Sequence, residues 1–397
     1  MRVSLVLSIA LLVINIISDI YIVKQIPKRF RNIALRSVLW SVNTIIYILF
    51  VVFVWLIYIK NTQLISKNIE FVVFLFFLIL IPKIVFLLIS SADYLIKFFT
   101  KKRRYIFTVA ATIISLLLIV LLIYGMVVGR KRLVCNRIEL ESPLLPKEFD
   151  GLKIVQLSDL HLKSLYGDTT FIAELVGEVN SFNPDIVCIT GDLVTFSADE
   201  LLFYKQQLSR LKAKEGIYSV LGNHDYGDYV NWRTPDEKQN NIQNLKTYQA
   251  ELGWTMLNND SKSIIRGNDT IMVIGVENWG NPPFPRYGNL KEAYKTLTDK
   301  KYKILLSHNP EHWQQVIDDT NINLTLSGHT HAMQLKLSFG EKQFSLASLR
   351  GEWWSGLYRC GEQSLYVNDG IGCTLFSFRF GAYPEITLIT IKTQDNE

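Results

Sequence analysis

The chain has 397 residues, more than one compact core usually organises. Its formal charge of +6 conceals a division: residues 1–132 carry 17 Lys and Arg against three acids, a net of +14, and the remainder nets −8. The basic charge flanks apolar stretches and the polar half is acidic, so there is no basic face of the kind nucleic acid needs, and no nucleic-acid partner is expected.

Four stretches, 3–23, 38–59, 70–90 and 106–128, approach the 20 or so apolar residues that cross a bilayer. The first lacks a small-x-small cleavage site, so it reads as an anchor rather than a signal peptide. The third carries Pro82-Lys83; a Lys at mid-bilayer costs about 3 kcal/mol, which leaves a re-entrant segment as the alternative there. The loops after the first and third spans hold Lys24, Lys28, Arg29, Arg31 and Arg36, and Lys97, Lys101, Lys102, Arg103 and Arg104. This bias places those loops in the cytoplasm and the remainder of the chain outside it, although Arg130-Lys131-Arg132 opposes the assignment. The expectation is a multi-pass protein of the plasma (inner) membrane whose residues 1–130 form a bundle of about four helices. The spans show almost no ionisable groups beyond Lys83, which favours an anchor over a transporter.

Residues 131–149, with Pro143 and Pro146, read as a polar linker. From 150 to 397 the pattern alternates apolar runs with helical spacing. Strands are expected at Ile154–Leu157, Asp185–Thr190, Ile217–Leu221, Lys303–Leu306 and Leu324–Leu326, and a hairpin at Ser263–Arg266 and Thr270–Val276 around Gly267-Asn268-Asp269. Helices are expected at Thr170–Phe182, Asp199–Lys212 and Asn240–Leu252, and further strands at Ser364–Asn368 and Glu385–Ile391. The fold class predicted is α/β, a two-layer sandwich of mixed sheets flanked by helices. Cys135, Cys188, Cys360 and Cys373 form no CxxC pair; Cys188 reads as core, and a Cys360–Cys373 disulfide fits only an exported domain.

Five of these strands end in polar groups. The first is followed by Asp159 and His161, the second by Gly191-Asp192, and the third by Asn223-His224-Asp225. His308 follows the fourth, and Gly328-His329-Thr330-His331 the last. Ligands of open α/β sheets sit beyond the carboxyl ends of strands, so sequence-distant side chains converge there. Imidazole, carboxylate and amide oxygen together suit borderline divalent metals. One strand-end histidine is weak support; seven candidate donors in one ordered set are strong support. His312, after Pro310, reads as a surface or capping group. Trp353 and Trp354, with Trp279, Phe284, Tyr287, Phe376, Phe378 and Phe380, suggest either an apolar rim suited to a lipid substrate or ordinary core packing.

This series resembles the calcineurin-like metallophosphoesterase superfamily, in its bacterial membrane-anchored branch, from about residue 150 to the C-terminus, including Asn368-Asp369-Gly370 and Pro384-Glu385. The resemblance implies two divalent ions (Mn, Fe, Zn or Co), one held by Asp159, His161 and His331, the other by Asn223, His308 and His329, with Asp192 bridging. It implies attack on phosphorus by a hydroxide shared between the metals, and a two-ion clamp suits such an in-line displacement. His224 would face the substrate, and Asp225 would orient it. Where many members carry a further Asp, this chain has Thr195, which puts the support of the ligands in doubt. The expected activity is membrane-anchored hydrolysis of a phosphoester or pyrophosphate bond in a phosphorylated small molecule, phospholipid or glycolipid at the bilayer. The alternatives are a lipid-linked nucleotide such as UDP-2,3-diacylglucosamine, whose hydrolases of this branch work on the cytoplasmic face, and a non-catalytic metal-binding scaffold or sensor, which would be expected to have lost ligands.

Overall fold

A computed structural model describes residues 5–25, 33–58, 67–102, 105–281, 285–296, 299–340, 342–375 and 377–394. The chain divides into two compact units, the first built on Met1–Val127, the second beginning at Val128.

The first unit consists of four apolar helices, α1 (Leu5–Gln25), α2 (Ile33–Tyr58), α3 (Lys67–Thr100) and α4 (Ile106–Val127). Among the described residues, Val73–Thr100 and Ile106–Lys131 are long and apolar enough to cross a membrane, and Trp40–Trp55 is a shorter apolar helix. The third segment is not re-entrant: α3 continues through Pro82 for 34 residues. Lys83 is tolerated because Asp19 of α1 meets it at 2.5 Å, a partner that the sequence alone does not reveal.

The second unit contains β1 (Val134–Ser142), β2 (Leu152–Leu157), α5 (Thr169–Ser181), β3 (Ile186–Ile189), the single turns α6 (Asp199–Leu202) and α7 (Lys205–Leu208), β4 (Gly216–Ser219), α8 (Pro235–Glu251) and β5 (Thr255–Met256). It continues with β6 (Asp260–Arg266), β7 (Asp269–Gly275), α9 (Leu290–Ala293), β8 (Tyr302–Leu306), α10 (Trp313–Asp319), β9 (Leu324–Ser327), β10 (Leu337–Phe339), β11 (Lys342–Phe344), β12 (Gly356–Cys360), β13 (Gln363–Val367) and β14 (Glu385–Thr393).

One mixed sheet has the order β1-β14-β2-β3-β4-β5 and the other β12-β13-β9-β8-β7-β6. Ile154, Ile186 and Cys188 of the first face Ile271, Ile304 and Leu324 of the second in one buried cluster, so the sheets form a sandwich. The first sheet's other face packs on α5 and α8 through Leu175, Val179 and Leu245; the second's packs on α9 and α10 through Leu290, Trp313 and Val316. The expected sandwich of mixed sheets with flanking helices is the fold observed.

Two local expectations fail. The supposed linker is largely β1, paired in parallel with β14 from Val134↔Glu385 to Ser142↔Thr393. An edge strand exposed on one face has few apolar residues, so it looked like a linker. The helix expected over Asp199–Lys212 breaks into α6 and α7 around Phe203 and Tyr204. All four cysteines are free, Cys360 exposed and Cys373 buried, so the disulfide is not formed.

Candidate metal centre

The parallel strands β2, β3 and β4 of one sheet and β8 and β9 of the other deliver their carboxyl ends to one edge of the sandwich. Asp159 and His161 follow β2, Asp192 follows β3, Asn223 and His224 follow β4, His308 follows β8, and His329 and His331 follow β9. Side chains from opposite layers therefore meet. Ligand atoms of Asp159, His161 and His331 lie within 4.8 Å of one another, as do those of Asp192, His308 and His329. His161, Asp192 and His224 form a third such group, so His224 stands nearer the ligands than the sequence implied.

The polar atoms are assigned by what holds their other edges. Asp159 Oδ2 accepts from Ser158 Oγ at 2.6 Å and from the His329 amide at 2.9 Å, while its Oδ1 faces His331 Nε2 at 3.1 Å and His161 Nε2 at 3.9 Å. His308 Nδ1 donates to the Thr190 carbonyl at 2.8 Å, which turns Nε2 towards Asp192 Oδ2 at 3.2 Å and Asn223 Oδ1 at 3.2 Å. His161 Nε2 is 3.6 Å from the same Asp192 Oδ2 and has no hydrogen-bond partner. One carboxylate oxygen thus lies between an imidazole of each group. Asp192 Oδ1 is fixed by the His224 amide at 2.8 Å.

Buried polar atoms without partners are costly unless a ligand completes them. Burial alone would protonate Asp192, but the imidazoles of His308 and His224 outweigh it and hold the carboxyl well below its usual range. Burial, aided by His224, keeps the His161 imidazole well below its usual value and hence neutral. His308 is pushed up to about 10, burial opposing and the Asp192 and Asp159 carboxylates prevailing, so a cation there would take the place of a proton; carboxylates, imidazole nitrogens and an amide oxygen together are the donor set a pair of divalent cations requires.

The backbone is strained where it aims these groups. Asp159, His161, Asp192, His329 and His331 have φ of 50°, 39°, 51°, 71° and 51°, the left-handed region that non-glycine residues rarely adopt. Close passage of the loops requires glycine: a Cβ on Gly328 would lie 1.9 Å from Ser158 Oγ and 2.2 Å from Asp159 Oδ2.

Three expectations about the surroundings change. Asp225 is held by backbone amides. Its carboxylate accepts from the Val194 amide at 3.1 Å and the Gly222 amide at 2.9 Å, bracing the β3 and β4 loops. His224 Nδ1 is held instead by the Thr195 carbonyl at 2.9 Å. Thr195 also reaches His161 Nδ1 with its hydroxyl at 3.4 Å, a weak substitute for the carboxylate of other members.

Sequence reasoning missed Arg379 entirely. It is fully buried, donates to His331 Nδ1 at 3.0 Å, and also binds the carbonyls of Gly372, Asp369 and Ala382. An arginine set among Phe378, Phe380 and Phe376 was the available signal.

His312 is not at the surface, and it takes the N-cap position of α10 without a side-chain capping bond. It is buried, stacked on Trp279 at 3.9 Å and bonded to Ser307 Oγ through Nδ1. The aromatic rim mostly dissolves into packing: Trp279 and Phe378 are buried, Trp353 packs edge-on against Trp313, and Tyr287 stacks on Tyr226. Phe284 and Phe376 lie outside the described residues.

Comparisons with known proteins follow the same division. A calcineurin-like phosphoesterase family model matches residues 152–333, and a model described as a probable calcineurin-like phosphoesterase transmembrane domain matches residues 1–130. An uncharacterized metallophosphoesterase of Bacillus subtilis, YkuE, is 31% identical over 258 residues, 64% of this chain and 84% of that one. A zebrafish (Danio rerio) transmembrane protein with a metallophosphoesterase domain is 30% identical over 279 residues, 68% of this chain and 60% of that one. The UDP-2,3-diacylglucosamine pyrophosphatase LpxG of Chlamydia trachomatis is 30% identical over 290 residues, 62% of this chain and 86% of that one. The chain belongs to the calcineurin-like phosphoesterases, hydrolases of phosphoesters, and carries their transmembrane domain at its N-terminal end.

Proposed function

We propose that residues 1–130 anchor the chain in the plasma (inner) membrane and that the following α/β unit hydrolyses a phosphoester or pyrophosphate bond at a two-metal centre. The observation that carries this reading is Asp192 Oδ2, 3.6 Å from His161 Nε2 and 3.2 Å from His308 Nε2, with candidate donors grouped on either side. Asp159, His161 and His331 would hold one cation, Asn223, His308 and His329 the other, and Asp192 both. When bound, the cations (Mn, Fe, Zn or Co) supply an activated water and neutralise charge on the phosphoryl oxygens.

The chain's own groups do the rest. Asp192, pinned through Oδ1, keeps a fixed separation between the two ligand groups. His224 is the residue assigned to the substrate: Nδ1 donates to the Thr195 carbonyl, so in the neutral ring that burial favours Nε2 carries the lone pair, and Nε2 donates to the phosphoryl oxygen or the leaving group only as imidazolium. Asp225 supports that loop without meeting the substrate. Asn223 and His224 are half-buried and His329 is exposed, while Asp159, His161, Asp192, His308 and His331 are buried, so substrate approaches from the Asn223–His224–His329 side.

The test uses the full chain in detergent with Mn²⁺ and a bis-aryl phosphodiester. Asp192→Asn and His329→Ala are each expected to abolish turnover with the fold retained by circular dichroism. Activity persisting in either variant removes that residue from the centre.

A lipid-linked nucleotide is a second reading of the substrate, favoured by the likeness to a protein named for UDP-2,3-diacylglucosamine pyrophosphate hydrolysis. It requires the α/β unit in the cytoplasm, against the orientation that loop charge favours. A reporter fused to the C-terminus decides between them: an extracytoplasmic signal rejects the nucleotide-lipid reading, and a cytoplasmic one rejects the charge-derived topology.

A further inference from the structure

Immediately beyond the turn that bears His329 and His331, the chain extends a hairpin that belongs to neither main sheet. Strands β10 and β11 pair only with each other, Leu337↔Phe344, Ser338↔Gln343 and Phe339↔Lys342, around Gly340. Its base is fixed beside the metal ligands: Lys336 N donates to the Phe380 carbonyl, and Ser345 Oγ to the Ala332 carbonyl. Directly opposed residues of an antiparallel pair share a face, and neighbours along a strand alternate. Leu337, Phe339, Phe344 and Lys342 therefore occupy one face, and Ser338 and Gln343 the other.

That apolar face is uncovered. Phe339 is 70% exposed and Phe344 46%, and the turn after β11 adds Leu346 and Leu349, the last 75% exposed. Met333, at the start of the excursion, is exposed as well. A two-stranded hairpin of three-residue strands is marginal in water, and a set of large apolar side chains at its tip makes it worse. Exposed Lys342 and Arg350 flank the apolar set, with Glu341 beside the first in sequence and exposed Glu352 two residues after the second. Basic side chains around an apolar tip suit one kind of surface, where the tip enters acyl chains and the ammonium and guanidinium reach lipid phosphates. This chain carries its own transmembrane domain, so such a surface is always within its reach.

We propose that the β10–β11 hairpin and the turn through Leu349 dock on the lipid bilayer. The contact orients the α/β unit so that the His329–His331 side of the site faces the membrane surface. The docking itself stands apart from the reaction; delivery of a membrane-borne substrate rests on the hydrolase reading above.

The test places a bimane fluorophore at Phe339→Cys or Leu349→Cys in full-length protein lacking its exposed cysteine, Cys360→Ser. The protein is reconstituted in phosphatidylcholine–phosphatidylglycerol nanodiscs with and without nitroxide-bearing lipid. Lys262→Cys, exposed on the edge strand β6, is the control. Nitroxide lipid is expected to quench positions 339 and 349 at least about threefold more than 262, as for a segment at interfacial depth.

Equal quenching at all three sites overturns the proposal. So does a bimane shift at 339 and 349 that depends on the number of chains per disc and not on nitroxide, which assigns the face to a second copy. In a separate arm, Phe339→Ser with Leu349→Ser is expected to retain turnover of the soluble diester and to raise KM for a phosphodiester borne on a lipid by about tenfold. Loss of the soluble activity in the parent protein counts against the hydrolase reading and leaves the quenching result standing.

Discussion

Gly222→Ala is the substitution that most sharply tests the geometry of the centre, because it adds one methyl group and alters no proposed ligand. A Cβ at Gly222 would lie 2.2 Å from Asp192 Oδ1, 2.6 Å from Asp192 N and 2.8 Å from Asp192 Cγ. Real Cβ contacts hardly ever fall below 3.0 Å, so the carboxylate must retreat by at least about 0.8 Å. One of the three atoms is Asp192 backbone, strained at φ 51°, and the other two belong to the carboxylate that the His224 amide holds, so no flexible end is available to give way. The retreat also breaks the 2.8 Å bond from the His224 amide, displacing the proposed substrate-facing histidine along with the shared ligand. A misplacement approaching 1 Å at reacting groups is worth about a hundredfold in rate, or roughly 2.7 kcal/mol of barrier. We expect kcat/KM for the bis-aryl phosphodiester under saturating Mn²⁺ to fall by about that factor, with a thermal midpoint that stays well resolved. Gly177→Ala is the control: this glycine lies within α5 with nothing inside 4 Å of its would-be Cβ, and the change is expected to leave activity intact. Activity in Gly222→Ala within about threefold of the parent would refute the reasoning, since the carboxylate could then move without consequence.

Arg379→Met is expected to lower stability by about 3 kcal/mol or more, read as a drop in Tm, because it strands the carbonyls of Gly372, Asp369 and Ala382 without their buried donor. Thr195→Val removes the 3.4 Å hydroxyl contact to His161 Nδ1 and is expected to weaken Mn²⁺ binding by about tenfold or less, measured by calorimetry; a larger loss would mean that the long bond matters more than its length suggests. Asp185 is held below its ordinary carboxylate value, burial opposing and the Lys153 amide, Lys214 and Arg266 prevailing. Its stabilising contribution is therefore full above the unfolded value of 3.8 and is lost as the pH falls through the depressed folded value, so Asp185→Asn should lower Tm near neutral pH and shrink the acid-side decline. Lys83→Ala is expected to cost folded yield in membranes more than Lys83→Ala with Asp19→Ala, since the single change leaves a lone buried carboxylate.

The fold and the donor set were legible because each rests on a local signal. Buried parallel strands read as short apolar runs, and the polar residues closing them mark a shared edge; Ile154–Leu157 before Asp159 shows both. What was illegible is what depends on a distant partner. β1 became a strand because β14, more than 240 residues on, supplies its hydrogen bonds. Arg379 could not be tied to His331 from spacing, and sequence adjacency to His224 says nothing about which backbone amides the Asp225 carboxylate accepts from. The aromatic segment at Trp353 offered a substrate rim as one reading, yet Trp353 packs against Trp313, while Phe339 and Leu349 are 70% and 75% exposed. Composition does not distinguish an aromatic that packs from one that protrudes.

The helical unit bears on the choice between anchor and transporter. Lys83, the charge that sequence singled out, donates to Asn15 Oδ1 at 3.2 Å and Asn43 Oδ1 at 3.3 Å and pairs with Asp19. Asp19 in turn accepts from Asn43 at 3.1 Å and from Tyr47. One ion pair with its hydrogen-bonding shell therefore ties α1, α2 and α3 together. Asp93 of α3 accepts from the Phe107 and Thr108 amides at 3.2 and 2.8 Å, capping the N-terminus of α4 where the helix dipole favours a carboxylate. Ser115 of α4 reaches the Pro82 carbonyl at 3.0 Å, where the proline interrupts α3. A transport pathway keeps charged groups available to a moving substrate, whereas these are consumed in joining helix to helix. The polar groups named here join α1, α2 and α3 and cap α4, which supports the anchor proposed above.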